Sequence, residues 1–156
     1  MRTSGAFRAI LTAGLVVGVL DISSAFVIWW QRGVGVQRGL QGIAAGLLGA
    51  KSFEDGMTTG CLGLALHFFV AFVVVSVFYL ASRKIPFLTK QPFVSGVLYG
   101  IGVYIVMYWF VLPTVFPTFR HRLWNELLAV VIHISLIGLP CALIVRRYSQ
   151  EKRQSS

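Results

Sequence analysis

Residues 7–30 read FRAILTAGLVVGVLDISSAFVIWW. The stretch is apolar throughout except for Arg8 at its start and a few short polar side chains, and Asp21 sits alone near its centre. At helical rise it is about 36 Å long, enough to cross the ~30 Å hydrocarbon core of a bilayer. Its apolar residues run on continuously instead of alternating, which points to a membrane-spanning helix and not to a barrel strand. A carboxylate inside such a helix is costly, so Asp21 needs a partner or a purpose.

Working outward, three further runs have the same character: 59–82, 93–113 and 124–145. They predict an all-α membrane protein with four transmembrane helices in an up-down bundle. Residues 1–148 form its single domain, and 149–156 form a polar, disordered tail. Pro113 and Pro117 are expected to end the third span. Pro140 lies within the fourth and should free the Leu136 carbonyl. Between the first two spans, Leu40, Ile43, Ala44, Leu47 and Leu48 recur with helical period, with Gln37, Arg38, Gln41 and Ala45 on other faces. A short amphipathic helix over 37–49 follows, lying on the membrane surface or capping the bundle.

Composition agrees. The 156 residues are 56% hydrophobic and only 12% charged, against roughly a quarter charged in soluble domains. The net charge of +9 does not imply nucleic acid, because the basic residues flank the apolar runs instead of forming one patch. They read as orientation signals and as contacts for anionic lipid at the inner face. With the N-terminus inside, nine of the 14 Lys and Arg residues fall on inner segments: Arg2, Arg8, Arg83, Lys84, Lys90, Arg146, Arg147, Lys152 and Arg153. Arg32, Arg38, Lys51, Arg120 and Arg122 fall outside. Both termini are thus expected in the cytoplasm. Trp29, Trp30, Trp109 and Trp124 form an aromatic belt at the outer edge. Ser23-Ser24-Ala25 resembles a signal-peptide cleavage site, but apolar residues continue to Trp30, so the segment reads as a retained span. Cys61 and Cys141 fall near opposite faces, about 20 Å apart at helical rise, too far for a disulfide. Both read as buried small apolar residues.

Depth counting sharpens the Asp21 problem. Asp21, His67, Tyr104 and His133 each lie eight or nine residues below the outer end of their span, roughly 12–13 Å at helical rise. Gly14 and Gly18 share a face with Asp21, Gly63 and Ala71 flank His67, and Gly96 and Gly100 line up with Tyr104. Small residues at this spacing mark helix interfaces. The four polar residues therefore form a candidate intramembrane layer, in which Asp21 could reach either histidine. Three uses are open: a hydrogen-bonded network fixing helix register, proton handling by an Asp–His chain, or axial ligation of a b-type haem by His67 and His133. A metal site on the same residues is a weaker alternative, since no His-x-x-x-His spacing is present. A second polar group, Glu54, Asp55, His121 and Glu126, lies at the outer surface, where Glu126 could link the layer to water. In the plainer reading Glu126 pairs with Arg122, and Asp55 or Thr58 caps the second span. No Gly-x-Ser-x-Gly, Walker loop or Cys-x-x-Cys is present, so no catalytic residue and no obligatory cofactor is expected.

Several local motifs, His67-Phe68-Phe69, Lys84-Ile85-Pro86-Phe87, Leu112-Pro113, Trp124-Asn125-Glu126, His133 and Arg146-Arg147, resemble those of small uncharacterised bacterial inner-membrane proteins, including the YagU-like family. The stretch 39–49, GLQGIAAGLLG, is similar to the outer helix of related proteins. The resemblance covers roughly two thirds of the chain, from about residue 59 onward and excluding most of the N-terminal third. It implies a multi-span bacterial inner-membrane protein with a contribution to acid tolerance and carries over no catalytic residues; the leading expectation is a non-enzymatic role in envelope or acid-stress physiology. A redox subunit, or a structural subunit of a homo-oligomer or larger membrane complex, are the alternatives.

Overall fold

The computed structural model describes residues 5–116 and 120–154. Arg2 and Pro117, both used above, lie outside them, as do the side chains of Lys152 and Arg153. Four helices are long and apolar enough to cross a membrane, and the described residues contain no strand. The protein is a multi-pass helical membrane protein.

The first span is α1, Gly5–Gln31, which passes unbroken through Ser23 and Ser24. Their hydroxyls donate to the Val19 and Asp21 carbonyls at 2.6 and 2.7 Å, so both serines are satisfied within the helix. Then come α2, Val36–Leu48, and a 3-10 turn, Gly49–Phe53. The second span is α3, Gly56–Lys84. The short α4, Phe87–Lys90, leads into the third span, Pro92–Val115, which joins α5, Pro92–Ile105, to α6, Leu112–Val115. The fourth span, Leu123–Gln150, begins with α7, Leu123–Ile132, and passes into α8, Leu139–Gln154.

Each of the last two spans contains one π-helical turn, Val106–Val111 and His133–Gly138. Each turn ends two residues before a proline. A proline inside a helix removes one hydrogen bond and crowds the carbonyl four residues back. Those carbonyls belong to Trp109 and Leu136, and both lie inside the π turns. The expectation for Pro140 thus takes the form of a widened turn. Pro113 does not end the third span, because the same widening lets the helix run to Val115. The helix stops before Phe116, which precedes Pro117 and is disfavoured in a helix for that reason.

The first span packs against the second and fourth, and the fourth packs against the third. Glycines set how closely they approach. A Cβ on Gly18 would lie 2.6 Å from the Phe68 ring, one on Gly96 2.9 Å from the Leu139 Cα, and one on Gly100 2.6 Å from the Ile134 Cα. The small-residue faces are therefore consumed inside the bundle. The ring closes where the Tyr99 hydroxyl donates to the Val74 carbonyl at 2.6 Å and its ring meets Phe78 edge-on. A buried cluster around Val17, Val75, Phe78, Ile137, Cys141 and Val145 fills the half nearer the chain termini.

α2 caps the bundle by docking on α3. Gly63 lets the Leu40 carbonyl come against it, and Gly39 takes the Trp29 ring. Leu40 and Ala44 are buried, but Leu47 and Leu48 are exposed. Gln41, expected on an outer face, is buried and donates to the Gly56 carbonyl at 2.8 Å. Docking on the start of α3, and not the α2 pattern alone, decides which face turns in. Cys61 is exposed, against expectation, while Cys141 is buried. α8 continues to Gln154, beyond Tyr148, where the polar composition implied lost order. Tyr148 anchors it: its hydroxyl is 3.0 Å from that of Thr12 and the Arg8 guanidinium lies 5.7 Å from its ring centre.

Candidate functional site

Asp21 and His67 meet across the seam between α1 and α3. The His67 Nε2 is 2.9 Å from the Gly18 carbonyl oxygen. A carbonyl only accepts, so Nε2 carries the hydrogen. The other ring nitrogen, Nδ1, faces the Asp21 Oδ2 at 4.0 Å, an ion-pair separation too long for a hydrogen bond. With His67 neutral and Asp21 ionised, a lone pair would point at a negative oxygen. One more proton, on Nδ1 or on the carboxyl, turns that contact attractive. The His67 ring thus has one nitrogen committed to the Gly18 carbonyl and the other facing the Asp21 carboxyl.

His133 and Tyr104 form the other half of the layer. His133 opens the π turn of the fourth span and is 8% exposed. Its Nδ1 donates to the Ala129 carbonyl at 2.8 Å, which leaves Nε2 as the acceptor in the neutral ring. The Tyr104 ring stands edge-on to it at 6.0 Å between centres. The four expected residues divide into two pairs, Asp21–His67 and Tyr104–His133.

Tyr104 also connects outward. Its hydroxyl donates to the Glu126 carboxylate, whose second oxygen is 2.8 Å from the His121 Nδ1. His121 stacks on Trp109 at 4.4 Å. Glu126 bonds inward to Tyr104 and sideways to His121, in place of the surface pair with Arg122. Glu54 and Asp55 belong elsewhere, in the connection between the 3-10 turn and α3. Asp55 occupies the N-cap position without a side-chain capping bond. The Thr59 hydroxyl instead bonds the Ser52 carbonyl at 2.5 Å.

Tyr108 was not singled out by the sequence pattern. It belongs to the π turn of the third span and stands 5.8 Å edge-on to His133. Its spacing of four from Tyr104 was the available signal. It forms part of the wall of a cavity of about 240 Å³ between α1 and α7. Arg32, Arg120, Asn125 and Glu126 line this cavity, and Ala25 and Ala129 leave room within it. The Arg32 Nη2 bonds the Asn125 Oδ1 across it at 3.2 Å. Asp21 and His133 each lie four residues beyond those alanines, about 6 Å at helical rise. The space compares with ~30 Å³ for one liquid water, so a short column of waters fits.

Axial ligation needs both histidines to turn a nitrogen toward one iron, yet the His67 Nε2 is held in the α1–α3 seam by Gly18. Among the described residues no three His, Cys, Asp or Glu side chains converge.

No protein-family model, curated protein or solved structure matches this chain.

Proposed function

We propose that this chain is a bacterial inner-membrane protein of the YagU-like kind, with both termini in the cytoplasm, that takes up and releases a proton within the bilayer. Its part in the cell is in envelope or acid-stress physiology, without catalysis of a reaction. The carrying observation is the Asp21–His67 pair, in which the Gly18 carbonyl fixes the hydrogen on Nε2 and leaves Nδ1 and the carboxyl to share one more. The cavity above Tyr108 supports access from the tryptophan side, and Glu126–Tyr104 supplies a polar link from His121 to the neighbourhood of His133. Histidine titrates where such a device must work, between about pH 5 and 8.

Infrared difference spectra of the reconstituted protein test this directly. Stepping the pH across that range should change the carboxyl band of Asp21 or the ring bands of His67, and Asp21→Asn should abolish the carboxyl change. A wild-type protein with no protonation change at either residue would sink the proposal. In cells, Asp21→Asn should lower acid survival at equal expression, and equal survival would remove the acid-stress role.

One observation favours a register-fixing role instead, namely that His67 bonds the α1 backbone directly. Asp21→Leu separates the readings. It leaves the His67–Gly18 bond in place, so a register role predicts a folded protein with wild-type behaviour, whereas proton handling predicts a folded protein that no longer responds to pH.

A further inference from the structure

The other end of the bundle, nearer the chain termini, has a second concavity of about 220 Å³ between α4 and α8. Thr89 and Lys90 line one side, and Arg146, Ser149 and Gln150 the other. Two cations border one space, and among the described lining residues there is no carboxylate. Such a pair is repulsive until an anion joins it.

The walls are braced from behind. Leu88, beside Thr89, packs on the buried cluster. Arg146, Ser149 and Gln150 share one face of α8 by their spacing, while Tyr148 turns to Thr12 and Arg8 on α1. Thr89 and Ser149 donate their hydroxyls to the Pro86 and Val145 carbonyls at 3.2 and 2.9 Å. Recognition therefore falls to the Lys90 ammonium, the Arg146 guanidinium and the Gln150 amide.

Depth identifies the anion. Lys90 lies two residues before the third span begins at Pro92, and Arg146 is the first charged residue after the apolar run of the fourth span, whose helix continues to Gln150. Both cations are thus at headgroup level. Below them the surface is apolar and uncovered on the Arg146 side, where Leu143, one turn into the bilayer, is 40% exposed. Cations over an apolar wall match a phosphodiester carrying acyl chains. We propose that this concavity is a binding site for one anionic phospholipid, its phosphate held by Lys90 and Arg146 and a chain lying along Leu143. The assignment is independent of the proton layer.

The full chain, delipidated in neutral detergent, can be titrated with phosphatidylglycerol and separately with phosphatidylcholine, with bound lipid counted by native mass spectrometry. Phosphatidylglycerol should bind preferentially. Lys90→Gln with Arg146→Gln should weaken it about 25-fold, at about fivefold per basic residue near an anionic group. Arg83→Gln with Lys84→Gln removes the same charge at the same end and should change it less than about twofold. Lys90→Gln alone, at an exposed residue, should give the fivefold loss if the double variant does not fold. Equal loss in both double variants, or equal binding of the two lipids, would overturn the site. Inorganic phosphate binding as tightly as phosphatidylglycerol would overturn the lipid assignment.

Discussion

The first and fourth spans touch along two stretches built in opposite ways. Nearer the termini, Ala9, Ala13 and Val17 of α1 and Cys141, Ala142 and Val145 of α8 are all at most 1% exposed. Toward the tryptophan end, Ala25, Ile28 and Arg32 stand across a cavity from Asn125, Ala129 and Ile132. Small side chains close the first stretch into dry contact. In the second, the Trp29 ring is taken up by Gly39 of α2, and Tyr108 reaches in from the third span. Asp21 falls between Val17, the last α1 residue of the buried cluster, and Ala25, the first residue of the cavity. A carboxylate one turn deeper would meet only apolar atoms, whereas here it meets His67 and lies within a turn of polar space.

The hardest way to break this comparison is at the limit of dry packing, where the third and fourth spans cross. A Cβ on Gly138 would run into the Gly96 carbonyl and lie 2.7 Å from the Gly100 nitrogen. Both obstacles are backbone and neither can swing aside. Gly138→Val should cost more than about 3 kcal/mol and leave little folded protein, as measured by recovery of a monodisperse species in detergent. A normally folded Gly138→Val variant would show that this crossing is not closed.

Within α1 one substitution probes both stretches. Ala13 is fully buried in the dry half, and Ala25 lines the cavity. Ala13→Leu should destabilise by about 1–3 kcal/mol through overpacking. Ala25→Leu has room to enter and should cost less than about 1 kcal/mol while shrinking the water-accessible space. Thermal unfolding in one detergent compares the two, and equal losses would remove the distinction between the halves.

The span pattern was legible in the sequence because a bilayer demands one simple thing, a continuous apolar run of sufficient length. The described spans start within three residues of the expected 7, 59, 93 and 124. The polar layer was legible one residue at a time, since Asp21, His67 and His133 stand out against apolar neighbours. Their pairing was not. The decisive partner of His67 is the Gly18 carbonyl, and a backbone acceptor leaves no mark in a side-chain pattern. Tyr108 escaped the depth count because it lies one turn nearer the outer edge than the layer, although its spacing of four from Tyr104 puts it on the same face. Gln41 was misplaced because docking on α3 overrode the periodicity of α2. Pro113 was read as a terminator because a proline stops an ordinary helix, and only the widened turn beneath it shows how the chain goes on.

A subtler probe lies where the open half meets the layer. Tyr104→Phe removes the hydroxyl that donates to Glu126 and keeps the ring against His133. The expected loss is about 1.5 kcal/mol, between a neutral hydrogen bond and one to a charged group. Glu126 keeps His121 as a partner, so the carboxylate is not stranded and the fold should survive. If Tyr104 belongs to the proton link, the variant should also slow the pH-driven infrared change of the layer. Unchanged kinetics would leave the cavity above Tyr108 as the route that matters.

The smallest effect is expected at the cavity mouth. Arg32 bonds Asn125 at 3.2 Å, and the contact is exposed. Exposed contacts of this kind contribute at most about 1 kcal/mol, because water replaces what is lost. Arg32→Ala should therefore leave the unfolding temperature within a few degrees of wild type. It should widen the entrance, which labelling at the layer can detect: a cysteine placed at Ala25 in a Cys61→Ser background should react faster with a small charged thiol reagent once Arg32 is gone. If the rate does not change, the cavity is not entered between α1 and α7, and the open half of the contact would be reached from elsewhere.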